Sequence, residues 1–197
     1  MASLFFFFGG GVIYPHFVGK PNGLLFVSLL NHASCIAFLT GFWLEQQSRG
    51  SAINGLRVLI ALLIGISAVL FSVGWIELLQ VIGIEHQEQE LVSILTNSTM
   101  DIKILSIVFV VVLAPICEEL LFRKLLLSLF LNRMDAAFAV LLSGVLFGVM
   151  HIESFTSVPP LIVFGVLLGW LQVQYRNVLL PIIAHITNNM IVVFIMI

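Results

Sequence analysis

Two adjacent acids and an arginine one turn later, Glu118-Glu119-Leu-Leu-Phe-Arg123, interrupt a run that otherwise reads as lipid-facing helix. The approach, Ile102 to Cys117, carries one charge, Lys103; the exit, Leu125 to Leu131, carries none. A charge near a bilayer centre costs from a few to well over about 10 kcal/mol, so such side chains face a protein interior or a wet cavity and mark a functional site by default. Carboxylates held there can take a proton from water or bind a metal. Glu119 and Arg123 are four apart, on one helix face, where they can pair. Glu118 is rotated by about 100° from Glu119 and is free to point elsewhere. Pro115, three residues earlier, removes a backbone hydrogen bond and can bend the helix.

Two later apolar runs carry matching chemistry. His151 ends one of them, with Phe147 one turn before it; His185, Asn188 and Asn189 lie in the last. With Arg133 as the turn, Glu118 lies 15 residues before it and His151 lies 18 after it (133 − 118 and 151 − 133). These are roughly 22 and 27 Å of helix. In an antiparallel pair the acid and the imidazole sit at similar depth and can meet. His185 and Asn189 share a face and supply hydrogen-bond donors. Each element has a plainer reading: a structural ion pair for Glu119–Arg123, an interfacial histidine at 151, interhelical glue for His185/Asn189. An acid and two histidines on three helices at compatible depth read better as one cluster.

Other reactive side chains carry less. Cys117 beside Glu118 keeps a thiol nucleophile open, although it and Cys35 read as small buried hydrophobes. His16, His32 and His86 read as incidental. Trp43, Trp75, Trp170 and Tyr175 read as interface anchors or packing residues.

The elements that position these residues follow from composition. The chain has 197 residues, 60% hydrophobic and 9% charged, against about 25% charged in a soluble domain. That predicts an all-α, polytopic transmembrane helix bundle forming a single membrane domain over 1–197. About seven spans are expected, near 4–18, 24–44, 56–83, 102–131, 135–151, 158–175 and 178–196, separated by turn-forming residues. The first reads as a retained helix rather than a cleaved signal. Glu85, Glu88 and Glu90, with Leu91, Val92, Ile94 and Leu95 behind them, suit an amphipathic surface helix near 84–98. A solvated acidic loop is the equal alternative there. Seven crossings put Arg49, Arg57, Arg123, Lys124, Arg133 and Arg176 on or near one side, which places the N-terminus in the cytoplasm. A net charge of −2 offers no footprint for a nucleic-acid partner. A transporter or proton relay, which buried acids and histidines also mark, finds no inverted repeat to support it.

Taken in order, Glu118-Glu119-x-x-x-Arg123, Phe147-x-x-x-His151 and His185-x-x-x-Asn189 resemble the CPBP family of intramembrane proteases. This is also called the ABI family, and comprises type II CAAX prenyl endopeptidases and bacteriocin-processing or self-immunity membrane proteins. Ala114-Pro115-Ile116 and Leu180-Pro-Ile-Ile-Ala-His185 fit the same pattern. The resemblance covers roughly residues 100–196. It implies variable N-terminal helices over 1–100 and catalytic core helices over 101–197. Many members have glycine where Lys124 stands.

What the resemblance implies is an intramembrane endopeptidase, CAAX protease-like, with a peptide bond cut in a membrane-embedded cavity. Glu118 with His151 would activate the attacking water. His185 and Asn189 would stabilise the oxyanion, and Glu119 and Arg123 would support the site. A partly desolvated carboxylate is a competent base, and each oxyanion donor typically contributes about 10²–10³-fold in rate. No substrate-binding residue is singled out. A metallopeptidase is the alternative mechanism: Glu118, His151 and His185 could hold zinc or another divalent metal with water in the fourth position. The helical signature His-Glu-x-x-His is missing, and the cofactor-free glutamate mechanism is favoured. The expected partners are membrane lipid and a peptide or protein substrate, prenylated or membrane-inserted, in a prokaryotic cell (inner) membrane. A non-proteolytic membrane immunity or interaction protein is the alternative function.

Overall fold

The computed structural model describes residues 52–85 and 99–196. The expected spans at 4–18 and 24–44, and all but the first two positions of the expected surface helix, lie outside the described residues. Five helices make up the rest, with no strand among the described residues. They are α1 (Gly55–Val81), α2 (Met100–Leu131), α3 (Ala136–Val149), α4 (Val158–Tyr175) and α5 (Leu179–Met196). Each falls within two residues of an expected span. The helices α1 and α2 and the stretch Phe155–Tyr175 are long and apolar enough to cross a membrane. α3 is shorter, and a tight 3₁₀ turn, Ile152–Ser157, follows it.

Local chemistry sets the boundaries. Asn54 caps α1 by accepting from Arg57 N–H at 3.0 Å, and Asp135 caps α3 by accepting from Phe138 N–H at 3.0 Å. Such caps satisfy donors that a helix start leaves free. Pro159 sits in the first turn of α4, where a missing N–H costs nothing. Arg176 ends that helix in the left-handed region, at φ 50°. Asn177 then accepts from Leu179 N–H at 3.0 Å and starts α5.

The helices are patterned inside out. α1 buries the small residues Ala61, Gly65 and Ala68 and exposes Leu59, Leu63, Leu70 and Phe71. A water-soluble helix does the reverse. Lipid gains nothing by hiding leucine, so membrane helices associate by letting small side chains bring backbones close. One buried cluster joins all five helices: Ala61 and Ala68, Phe122, Phe147, Phe164, Leu168 and Leu171, Leu180 and Ala184.

α3 and α4 cross closely at Gly144 and Gly165. A Cβ built on Gly165 would lie 2.9 Å from Gly144 Cα, and one on Gly144 would lie 2.5 Å from Val166 Cγ2 and 2.7 Å from Val166 N. The obstacles include backbone, which cannot rotate away. Gly144→Val is therefore expected to destabilise the protein by more than the about 1–3 kcal/mol usual for overpacking. Thermal unfolding in detergent measures this, and an unchanged midpoint would refute the close approach.

Candidate active site

α2 carries the acid pair through an irregular stretch. It is one rod with two π-helical segments, Phe109–Leu113 and Leu120–Leu126, on either side of the short α-helical turn Ala114–Glu119. Such widened turns re-aim side chains and are frequent at functional sites.

Glu119 is fully buried and serves two partners. Its Oε2 accepts from Arg123 Nε at 2.7 Å, and its Oε1 lies 2.9 Å from His185 Nδ1. A carboxylate only accepts here, so His185 Nδ1 carries the hydrogen. Arg123, 1% exposed, also donates from Nη1 to Ser143 Oγ at 2.9 Å. Its guanidinium lies over Phe147 at 5.2 Å and Phe122 at 5.8 Å. Its Nη2 has no protein partner among the described residues. The other edge of the His185 ring faces the neighbouring acid: Nε2 is 3.8 Å from Glu118 Oε2. Two consecutive carboxylates thus address opposite nitrogens of one imidazole. The expected Glu119–Arg123 pair is present, and Glu119 additionally orients the histidine.

Aromatic rings enclose this histidine. Phe147 and Phe164 meet it edge-on at 5.6 and 5.4 Å between centroids. Phe147 also contacts the His151 ring at 5.1 Å. His151 Nδ1 lies 2.8 Å from Phe147 O, a carbonyl that can only accept, so Nδ1–H donates and Nε2 is left with its lone pair in the neutral ring. His151 and Glu118 form no hydrogen bond or ion pair among the described contacts. His151 joins the cluster through Phe147, at hydrogen-bond reach from neither acid.

Asn189 donates from Nδ2 to Val110 O at 2.9 Å, and its Oδ1 accepts from Asn188 Nδ2 at 3.0 Å. Cys117 is 1% exposed and packs with Leu120, Val178 and Ile182. Among the described residues no three His, Cys, Asp or Glu side chains are grouped so as to hold a metal ion. His151 and His185 each commit Nδ1 to an acceptor and leave Nε2 without a hydrogen bond among the described residues, the arrangement that a metal-ligating histidine also has.

The match to known proteins falls on the same helices. The family model for the type II CAAX prenyl endopeptidase Rce1-like proteins matches residues 100–191. Residues 100–191, a little under half of the chain, are thus similar to that family. The Rce1-like stretch covers α2 to α5 up to Ile191 and contains Glu118, Glu119, Arg123, His151, His185 and Asn189. A Bacillus subtilis (strain 168) protein named "Putative membrane peptidase YdiL" is 29% identical over 85 residues. That overlap is 42% of this chain and 33% of that protein, so the chain matches about a third of the curated relative's length. No solved structure matches significantly.

Two residues of the cluster escaped the motif reading. Ser143, fully buried, holds Arg123 from α3, and Phe164 walls His185 from α4. Ser143 had a detectable signal. It sits four residues before Phe147 and eight before His151, so one polar residue continues their face. Phe164 is one apolar residue among many and had none. Outside the matched stretch, Trp75 of α1 donates from Nε1 to Thr156 O at 2.8 Å and so anchors the turn that follows His151.

Proposed function

We propose that this protein is an intramembrane endopeptidase that hydrolyses a peptide bond with water activated by Glu118. The observation that carries the reading is the suspension of His185 between Glu119 and Glu118, at 2.9 and 3.8 Å. In a bundle of apolar helices, an imidazole fixed at one nitrogen and presented at the other is a built device. Packing alone would not require it.

Each step falls to a named side chain. Glu118 takes a proton from the attacking water, and the bare Nε2 of His151 accepts the water's second hydrogen. The tetrahedral oxyanion is met by donors from α5: His185, protonated at Nε2 while Nδ1–H donates to Glu119, and the second N–H of the Asn189 amide. Glu118 then returns its proton to the leaving amine. Arg123 holds Glu119 in place, and Ser143 holds Arg123. The aromatic walls keep bulk water from the ring and strengthen each charge interaction.

CAAX-type processing is the substrate class that the Rce1-like stretch supports: a prenylated or membrane-inserted peptide, met within the bilayer. A prokaryotic inner membrane is the proposed location, and 101–197 the proposed catalytic core. The test is hydrolysis of a prenylated CAAX peptide by the purified protein in detergent, beside Glu118→Ala, His151→Ala and His185→Ala. Wild-type cleavage lost in all three variants is expected. Cleavage that survives in every variant overturns the assignment.

A further inference from the structure

The π-helical segment before the acid pair leaves one carbonyl without its normal partner. Ala114 N–H bonds back to Phe109 O, five residues away. In a regular α-helix that N–H would serve Val110 O. Were the wide turn to continue, the next residue's N–H would do so, but residue 115 is proline and has none. Val110 O is therefore orphaned twice over, at a depth where an unsatisfied carbonyl is costly. It is Asn189 Nδ2, from α5, that fills the vacancy in the ladder at 2.9 Å.

This bond decides how the amide faces. A carbonyl only accepts, so the nitrogen end of Asn189 must point at it. Asn188 donates to the oxygen end. One Asn189 N–H remains, with its direction set by the other two bonds.

We propose that Pro115 is a positioning residue for the peptidase site: by withholding an N–H it keeps Val110 O as the anchor that aims the second N–H of Asn189 at the substrate oxyanion. The proposal rests on the peptidase reading above. Pro115 itself touches no reacting atom. It acts through a bond that it leaves unmade, and one helix turn links it to Glu118.

Pro115→Ala supplies the missing N–H while removing a residue that strains a helix interior. The unfolding temperature should hold or rise. Hydrolysis should nonetheless fall, with kcat lowered by about 10-fold or more towards the 10²-fold that a lost oxyanion donor costs and KM unchanged. A second variant isolates the N–H from the ring: lactic acid placed at position 115 by nonsense suppression, which is alanine with an ester oxygen for the N–H. It should recover most of the wild-type kcat. The NMR signal of the Asn189 side-chain amide reports the anchor without catalysis. It should shift in Pro115→Ala and return in the ester. Wild-type kcat in Pro115→Ala, or an equal loss in both variants, overturns the proposal. If the wild type cleaves no peptide while the Asn189 signal still responds, the peptidase reading and the catalytic consequence fall together, and the anchor stands.

Discussion

Glu118→Gln is expected to lower kcat for peptide hydrolysis by about 10²–10⁴-fold, the range that a positioned general base contributes. The substitution keeps the shape and removes the ability to take a proton. Glu118 has no buried ion pair as close as those of its neighbour, and its nearest charge partner is His185 Nε2 at 3.8 Å. His185 stays fixed by Glu119 at Nδ1. Folding and KM should therefore change little, and the loss should appear in kcat. Steady-state cleavage of a prenylated peptide, with the unfolding midpoint measured on the same preparation, separates the two. A variant that keeps more than a tenth of the wild-type rate removes Glu118 from the mechanism. A variant that loses hydrolysis but keeps its biological role would instead favour the immunity or interaction reading.

Arg123→Met should act in the opposite sense, chiefly on stability. Arg123 is 1% exposed, bonded to Glu119 at 2.7 Å and to Ser143 at 2.9 Å, and flanked by Phe122 and Phe147. Removing it strands a fully buried carboxylate. Breaking a buried pair on one side costs about 3–5 kcal/mol. Glu119→Gln combined with Arg123→Met should cost less than the sum of the single changes, since the double variant leaves no unpaired charge. Unfolding in detergent, followed by circular dichroism across the four proteins, checks both points. Additive losses, or a single loss below about 1 kcal/mol, would mean that water reaches the pair.

The two experiments rest on parts of the site that were unequally legible in the sequence. Long apolar runs broken by Asp135, Pro159 and Asn177 marked the described helices to within two residues, because bilayer thickness and capping chemistry leave little latitude. Spacing also separated Glu118 from Glu119 by direction. What it could not supply was the third body. An i, i+4 rule says which residues share a face of one helix, and nothing about which ring arrives from another. Glu119 therefore read as the partner of Arg123 alone, whereas it also orients His185 from 66 residues further along. Helix arithmetic gave Glu118 and His151 similar expected depths, but depth does not fix rotation about the helix axis, and His151 bonds to Phe147 O instead of the acid. The π-helical turns left no sequence mark beyond Pro115. Hydropathy is blind to a hydrogen bond that skips five residues.

The helix α1 lies outside the stretch that the family model recognises. Yet Ala61 and Ala68 belong to the same buried cluster as Phe147 and Phe164, Gly65 sits against Ala184 and Thr187, and Trp75 grips the turn after His151. The unit that folds is thus larger than the unit that homology detects. A chain cut at residue 99 would keep every chemical group of the cluster and lose the wall against which α5 is seated. Grafting the recognisable half onto a different N-terminal partner would require that partner to offer the same narrow, small-residue track, and a donor at the height of Thr156.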